Sequence, residues 1–275
     1  MERLPPFVRQ FLYLKMASKQ PIGFFDSGVG GTSIWKEVHK VLPNENTIYL
    51  ADSKNAPYGP KGKKKILDLA HKNTQLLLDM GCKLIVVACN TATTNAIHEL
   101  RETYPIPFIG IEPAIKPAAL QTKTGVVGML ATEGTLSSTL FHETSNLFAS
   151  NIAIIEQIGN GLVELIEAGK LHSEEMRSLL EEYLRPMIDA QVDHIVLGCS
   201  HYPYLIPAMQ RILPEGIKII DSGEAVARQT RSILQKNDLL NTSEEKSDHT
   251  FYSNASTTTL NMLLDKAYKV SFLDF

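Results

Sequence analysis

The sequence predicts an α/β fold: two pseudo-symmetric parallel-sheet lobes, with the functional site in the cleft between them. Two observations carry that prediction. Short apolar runs alternate with helix-period stretches about eight times along the chain, and two motifs in the first half have counterparts in the second.

The apolar runs are "IGFF" (22–25), "TIYLA" (47–51), "LIVVA" (84–88), "PFIGI" (107–111), "TGVVGML" (124–130), "IAIIE" (152–156), "HIVLG" (194–198) and "IKII" (217–220). Their hydrophobicity is nearly continuous rather than alternating, as parallel strands covered on both faces require. Helical periods lie between them, for example Ile34, Val38, Val41 and Leu42 with polar residues on the opposite face. In such sheets ligands bind beyond the carboxyl ends of the strands. "VVACNT" around Cys89 reappears as "VLGCSH" around Cys199, 110 positions later, and "FFDSG" (24–28) reappears as "IIDSG" (219–223). Both echoes place small polar residues just beyond an apolar strand, which suggests related lobes facing each other.

Bulk properties narrow the function. A net charge of −3 disfavours a nucleic-acid binder, since phosphate contacts need a basic face. The cluster Lys61, Lys63, Lys64 and Lys65 reads as a solvated turn before a helix. Three cysteines make no disulfide framework and point to a reducing, cytoplasmic setting. No run reaches the roughly 18 apolar residues of a membrane span. Residues 1–20 mix charges into apolar positions, unlike a signal peptide, and read as an extension ahead of a body that begins near Pro21.

The chemistry concentrates where strands end: Asp26-Ser27-Gly28, Pro57-Tyr58-Gly59, Cys89-Asn90-Thr91, Thr132-Glu133-Gly134-Thr135 and Cys199-Ser200-His201. Backbone N–H groups at helix starts, with Ser, Thr and Asn side chains, hold small carboxylates. Two thiols opposed across a ligand can take a proton from one face and return one to the other. On a carbon bearing an amine and a carboxylate, that inverts the stereocentre. Plainer readings stand beside this one. Cys89 can be a core residue, Cys82 looks structural, and Asp26 can simply cap the helix containing Trp35. "SGVGGTS" is neither a Walker loop nor a dinucleotide fingerprint. Zinc on Cys89, Cys199 and His201 lacks the usual short spacings, and no motif singles out a pyridoxal lysine. A Cys199–His201 hydrolase would leave Cys89 unemployed, and a two-lobe ligand-binding protein would need neither thiol.

"IGFFDSGVGGTS", "APYGP", "VVACNTAT", "GMLATEGT" and "IVLGCSHYPYL" together resemble the successive motifs of the glutamate racemase family, in order and at its spacing, from Pro21 to about Leu234. "EPAIKPA" (112–118) resembles its Gram-negative branch. The resemblance implies cofactor-independent interconversion of L- and D-glutamate for peptidoglycan, with no metal. Cys89 would take the α-proton from D-glutamate and Cys199 from L-glutamate. Asp26, His201 and Glu167 match supporting catalytic positions. Asp26, Ser27, Tyr58, Gly59, Asn90, Thr91, Thr135, Ser200 and His201 match substrate contacts. Ser200 departs from the family's usual Thr, keeping the hydroxyl and losing the methyl. The implied domains are an extension (1–20), lobe one (21–112 plus 222–275) and lobe two (113–221). The tail from His249 would add a strand and a helix to lobe one, after an exposed polar loop, "KNDLLNTSEEKSDH". Glutamate is the expected small-molecule partner, with room for a peptidoglycan-precursor activator and a homodimer, and no nucleic acid or membrane. Racemization of aspartate or another small acid is the alternative on the same fold.

Overall fold

The computed structural model describes residues 18–149, 151–243 and 245–275. Most of the expected N-terminal extension therefore lies outside the described residues. Two of its described residues, Ser18 and Lys19, are attached to the body. The Ser18 carbonyl accepts from Lys83, and the Asn46 amide donates to the Lys19 carbonyl at 2.8 Å.

All eight apolar runs are strands. The first lobe opens with β1 (Ile22–Asp26), α1 (Thr32–Val41), β2 (Thr47–Ala51), α2 (Lys63–Asp79), β3 (Leu84–Val87), α3 (Asn90–Thr103) and β4 (Phe108–Gly110). Then come α4 (Ile115–Gln121), β5 (Val126–Ala131), α5 (Glu133–Leu136), α6 (Thr139–Phe148), β6 (Ala153–Ile158), α7 (Leu162–Glu167), α8 (Glu174–Asp189), β7 (His194–Gly198), α9 (Ile206–Ile212) and β8 (Lys218–Ile220). The chain closes with α10 (Gly223–Lys236), β9 (His249–Ser253), α11 (Thr258–Leu263) and β10 (Lys269–Phe272).

Two parallel sheets result, in the orders β10-β9-β2-β1-β3-β4 and β6-β5-β7-β8. The second repeats the middle of the first: β5 corresponds to β1, β6 to β2, β7 to β3 and β8 to β4. Each sheet reverses its winding between its first and third strands, and that switch point is where open α/β sheets bind ligands. In the register Phe25 faces Val87 in the first sheet and Ala131 faces Gly198 in the second. The next residues but one are therefore Ser27 and Cys89 in one lobe. In the other, the next ones are Thr132 and Cys199.

The first motif echo thus falls on equivalent strands, and the second does not. Asp26 ends the interior strand β1, whereas Asp221 follows the edge strand β8, the counterpart of β4. Their likeness is local turn chemistry. Each aspartate accepts the N–H two residues on, Gly28 at 3.2 Å and Gly223 at 2.7 Å.

The tail adds two strands rather than one, because Lys269–Phe272 pairs with β9 at the sheet's edge. Its pattern is half-exposed, so it lacks the apolar run that marks the inner strands. The polar loop before β9 is also less exposed than its composition suggests. Asn241 is buried and donates its N–H to Glu45 at 2.8 Å. Glu45 in turn pairs with the buried Lys83 at 2.6 Å, and Lys83 donates to the Leu239 carbonyl at 2.8 Å. A buried ion pair needs its remaining donors and acceptors satisfied, and this loop supplies them. One apolar cluster runs from Phe24, Trp35 and Val86 to Leu130, Leu162 and Leu197, so the two sheets share a core and hold their strand ends together.

Candidate active site

The glycine loop after β1 is shaped by Asp26. Its Oδ2 accepts the N–H groups of Gly28 and Gly31 at 3.2 and 2.9 Å, and its Oδ1 accepts from Ser200 Oγ at 3.1 Å. Burial pushes the Asp26 carboxyl up, against the pull of His201 and the Gly31 N–H. Two glycines let lobe two enter this loop. A Cβ on Gly28 would come within 1.9 Å of Glu167 Oε1, and one on Gly30 within 2.2 Å of His201 Nδ1.

Cys89 is the N-cap of α3, in extended backbone. Its sulfur accepts the Ala92 N–H at 3.4 Å and its thiol donates to Ser27 Oγ at 3.6 Å. Burial pushes this thiol well above its ordinary range, and Asp26 adds to the shift. The Ala92 N–H and Ser27 hydroxyl oppose it without overcoming it. Cys89 therefore holds its proton at neutral pH. Next to it, the buried Asn90 Nδ2 has no partner among the described residues, which marks a donor aimed at something other than protein.

Cys199 lies beyond β7 with its sulfur 3.8 Å from His201 Nδ1. The opposite ring nitrogen, Nε2, stands 2.6 Å from Glu167 Oε1. Gly30 N is also 3.2 Å from Nε2, but a nitrogen donating to Glu167 cannot accept from Gly30, and the shorter contact is the bond. Glu167 Oε1 accepts the Val29 N–H at 2.6 Å, and Oε2 accepts from Ser53 at 2.8 Å. Desolvation pulls His201 down, yet Cys199, Glu167 and Asp26 outweigh it and hold the imidazole well above its usual value. Burial likewise pushes Glu167 up, while His201, the Val29 N–H and Ser53 bring it below the usual carboxylate range. The pair is charged, and Glu167 ties it to lobe one through Val29 and Ser53.

Both thiols line one cavity. From lobe one come Ser27, Tyr58, Gly59, Cys89, Asn90 and Thr91; from lobe two come Thr132, Val163, Cys199, Ser200 and His201. Asp26 and Glu167 stand behind this wall, touching Ser200 and His201. Thr135 is fully buried one layer back, 3.1 Å from Thr132 Oγ1 and 3.4 Å from Thr91 Oγ1. The wall there is Thr132, which the sequence places in a strand-end segment but not among the substrate contacts; it follows β5 as Ser27 follows β1. Val163 carried no signal beyond its apolarity.

The cavity is narrow, at ≈ 10 Å³ about the room of one water. Thr91 and Thr132 meet across the lobes at 2.8 Å, and Asn95 Nδ2 donates to the Gly134 carbonyl at 3.1 Å. Outside that seam the cleft widens to ≈ 920 Å³, bordered by Gly59, Lys61 and Lys63 on one side and Gly134 and Ser138 on the other. The basic turn is thus a solvated edge of the cleft. Cys82 is buried away from it, with burial pushing its thiol up to about 12. Among the described residues, no group of three or more His, Cys, Asp or Glu could hold a metal, and no helix is long and apolar enough to cross a membrane.

Paired strand-end thiols in a two-lobe parallel α/β fold define a class. The family model described as Asp/Glu/hydantoin racemase matches residues 31–230. The chain belongs to that family and is an amino-acid racemase, an isomerase. Within it, the similarity is to glutamate racemases. The chain is 48% identical to the glutamate racemase of Herpetosiphon aurantiacus over 222 residues, covering 81% of this chain and 87% of that one. It is 47% identical to that of Ectopseudomonas mendocina over 226 residues, covering 82% and 86%. The fold superimposes on Escherichia coli glutamate racemase, solved with L-glutamate and the activator UDP-MurNAc-Ala. The TM-score there is 0.82 at 34% identity, covering 92% of this chain and 98% of that one. Isoform RacE1 of Bacillus anthracis gives a TM-score of 0.83 at 28% identity, covering 93% and 98%.

Proposed function

We propose that this racemase interconverts L- and D-glutamate through two opposed thiols, without a cofactor. One observation carries the reading: Cys89 and Cys199 occupy equivalent switch points of two lobes and line the same cavity.

Inverting the α-carbon requires a base on one face and an acid on the other. Cys89, kept protonated by its burial, is the acid as L-glutamate enters. Cys199 is the base, and its thiolate form is held by the charged His201 ring, whose Nδ1 lies 3.8 Å from the sulfur. After Cys199 takes the α-proton, Cys89 delivers its own to the opposite face and D-glutamate forms. The reverse reaction exchanges the roles. Glu167 orients the His201 ring and balances its charge, while Asp26 holds the glycine loop and Ser200 in place. The free Asn90 amide, the start of α3 and the hydroxyls of Thr91 and Thr132 supply donors for carboxylates.

A cavity of ≈ 10 Å³ is far below the volume of a dicarboxylic amino acid. Binding therefore opens the Thr91–Thr132 and Asn95–Gly134 seam, and closure then excludes water from the reacting carbon. Lobe one comprises residues 21–112 and 222–275 in this reading, lobe two comprises 113–221, and the connections near 113 and 222 act as hinges. The product serves peptidoglycan synthesis in the cytoplasm, and kinship with the activator-bound Escherichia coli enzyme supports control by a peptidoglycan precursor. A homodimer belongs to the same reading.

The test is polarimetry of the purified protein, without added cofactor, on L-glutamate, D-glutamate and L-aspartate. Loss of rotation with both glutamate enantiomers and not with aspartate is expected. Activity on aspartate alone would move the chain to the alternative substrate, and inertness to both would refute the reading.

A further inference from the structure

A second buried carboxylate lies near the cavity, and nothing in the two-thiol chemistry uses it. Asp52 follows β2 and is fully withdrawn from water. Four donors converge on it. Asn55, Asn254 and, at 3.6 Å, the Lys72 ammonium approach Oδ1, while Oδ2 takes a single bond, from the Tyr58 hydroxyl at 2.6 Å. That hydroxyl also accepts from Asn73 Nδ2 at 3.2 Å. Burial, together with the charge of Asp52, holds the phenol well above its ordinary range, so it keeps its proton and stays a donor.

The consequence concerns what Tyr58 can offer a ligand. Its hydroxyl is consumed by Asp52 and Asn73, so the residue meets the cavity through its ring and through the Tyr58–Gly59 backbone. That turn is a contact between lobes: a Cβ on Gly59 would stand 3.2 Å from Thr132 Cβ. Asp52 is itself tied to the catalytic strand, donating its N–H to the Asp26 carbonyl at 3.0 Å. A buried carboxylate–phenol pair is a costly way to fill space, and an apolar pair would fill it more cheaply. What it adds is a fixed direction, since a charge-assisted bond holds the tyrosine in one rotamer.

We infer that Asp52 is a positioning residue: through Tyr58 it fixes the Tyr58–Gly59 turn as the wall against which the substrate is seated. The inference rests on the racemase reading above. Neither thiol loses a partner when the pair is cut, because Ser27, Ala92 and His201 are untouched. The effect therefore falls on KM more than on kcat.

The experiment measures initial rates in both directions for the wild type, Asp52→Asn, Tyr58→Phe and the double variant. KM for each enantiomer rises about tenfold in either single variant, as for a lost charge-assisted bond, with kcat changed by less than about threefold. The double variant matches the single ones, because the two residues act as one unit. Should Asp52→Asn fail to fold, Tyr58→Phe decides the matter alone. An unchanged KM in a folded variant, or effects that multiply in the double variant, overturns the inference. Inertness of the wild type removes the racemase reading and this one together. An active wild type with indifferent variants removes only this one.

Discussion

Cys89 and Cys199 end equivalent strands at equivalent switch points, yet their neighbours differ in kind. Around Cys89 stand neutral partners: a backbone N–H from the next helix turn and the Ser27 hydroxyl. Around Cys199 stands a relay of titratable groups, His201 and then Glu167, anchored across the cleft by Val29 and Ser53. The duplicated topology supplies position, two sulfurs on either side of one small space. The side chains that differ between the lobes supply the protonation states. A symmetric pair would give both thiols the same surroundings, and the relay breaks that tie.

Removing either sulfur is the harshest way to probe the pair. Cys89→Ala and Cys199→Ala should each cut racemization by at least about a hundredfold, the scale of a lost general acid or base. If one variant stayed within a few-fold of wild type, the two sides would not be partners. Circular dichroism of each variant controls for folding.

The relay gives a subtler contrast. His201→Asn should lower kcat/KM by about ten- to a hundredfold. The fall must be equal in both directions, because the enantiomers are equally stable. The asymmetry appears instead in isotope effects. With Cys199 slowed, α-deuterated L-glutamate should show a larger primary effect than α-deuterated D-glutamate. Equal effects would mean that His201 serves both thiols alike.

Stability should follow the same charged pair. The folded pKa of His201 lies above its ordinary 6.5, so its contribution is complete below about pH 6.5 and is lost as pH rises through the folded value. Glu167 lies below its ordinary 4.5, so its contribution is complete above that value and is lost as pH falls through the folded one. The Tm should be highest between these limits, with an alkaline decline of at most about 1.4 kcal/mol per pH unit. That decline should flatten in His201→Asn, and an unchanged slope would place the titration elsewhere. The smallest effect belongs to the Cys89 side. Ser27→Ala removes one weak thiol bond and should cost only about 1 kcal/mol, a few-fold in rate.

Much of this was legible in the residues. Continuous apolar runs marked eight of the ten strands among the described residues, most plainly the inner ones, because strands covered on both faces have no polar side to interrupt them. The thiols stood out because each breaks such a run at its rim. The second motif echo misled, since Asp-Ser-Gly encodes a turn wherever a helix begins, whatever strand precedes it. β10 was hidden by its half-exposed edge position. The buried Asn241 in a polar loop depends on an ion pair whose members, Glu45 and Lys83, are far apart in sequence. The role of Asp52 was equally invisible. Its meaning lies in the convergence of residues 55, 58, 72 and 254, which only the fold brings about.

The central claim is that two thiols work from opposite faces, and hydrogen exchange in deuterated water tests it most directly. L-glutamate should yield D-glutamate carrying solvent deuterium at the α-carbon, while the L-glutamate recovered early in the reaction retains its hydrogen. Rapid deuterium uptake into the recovered L-glutamate, at the rate of its appearance in product, would indicate one exchanging base and contradict the account.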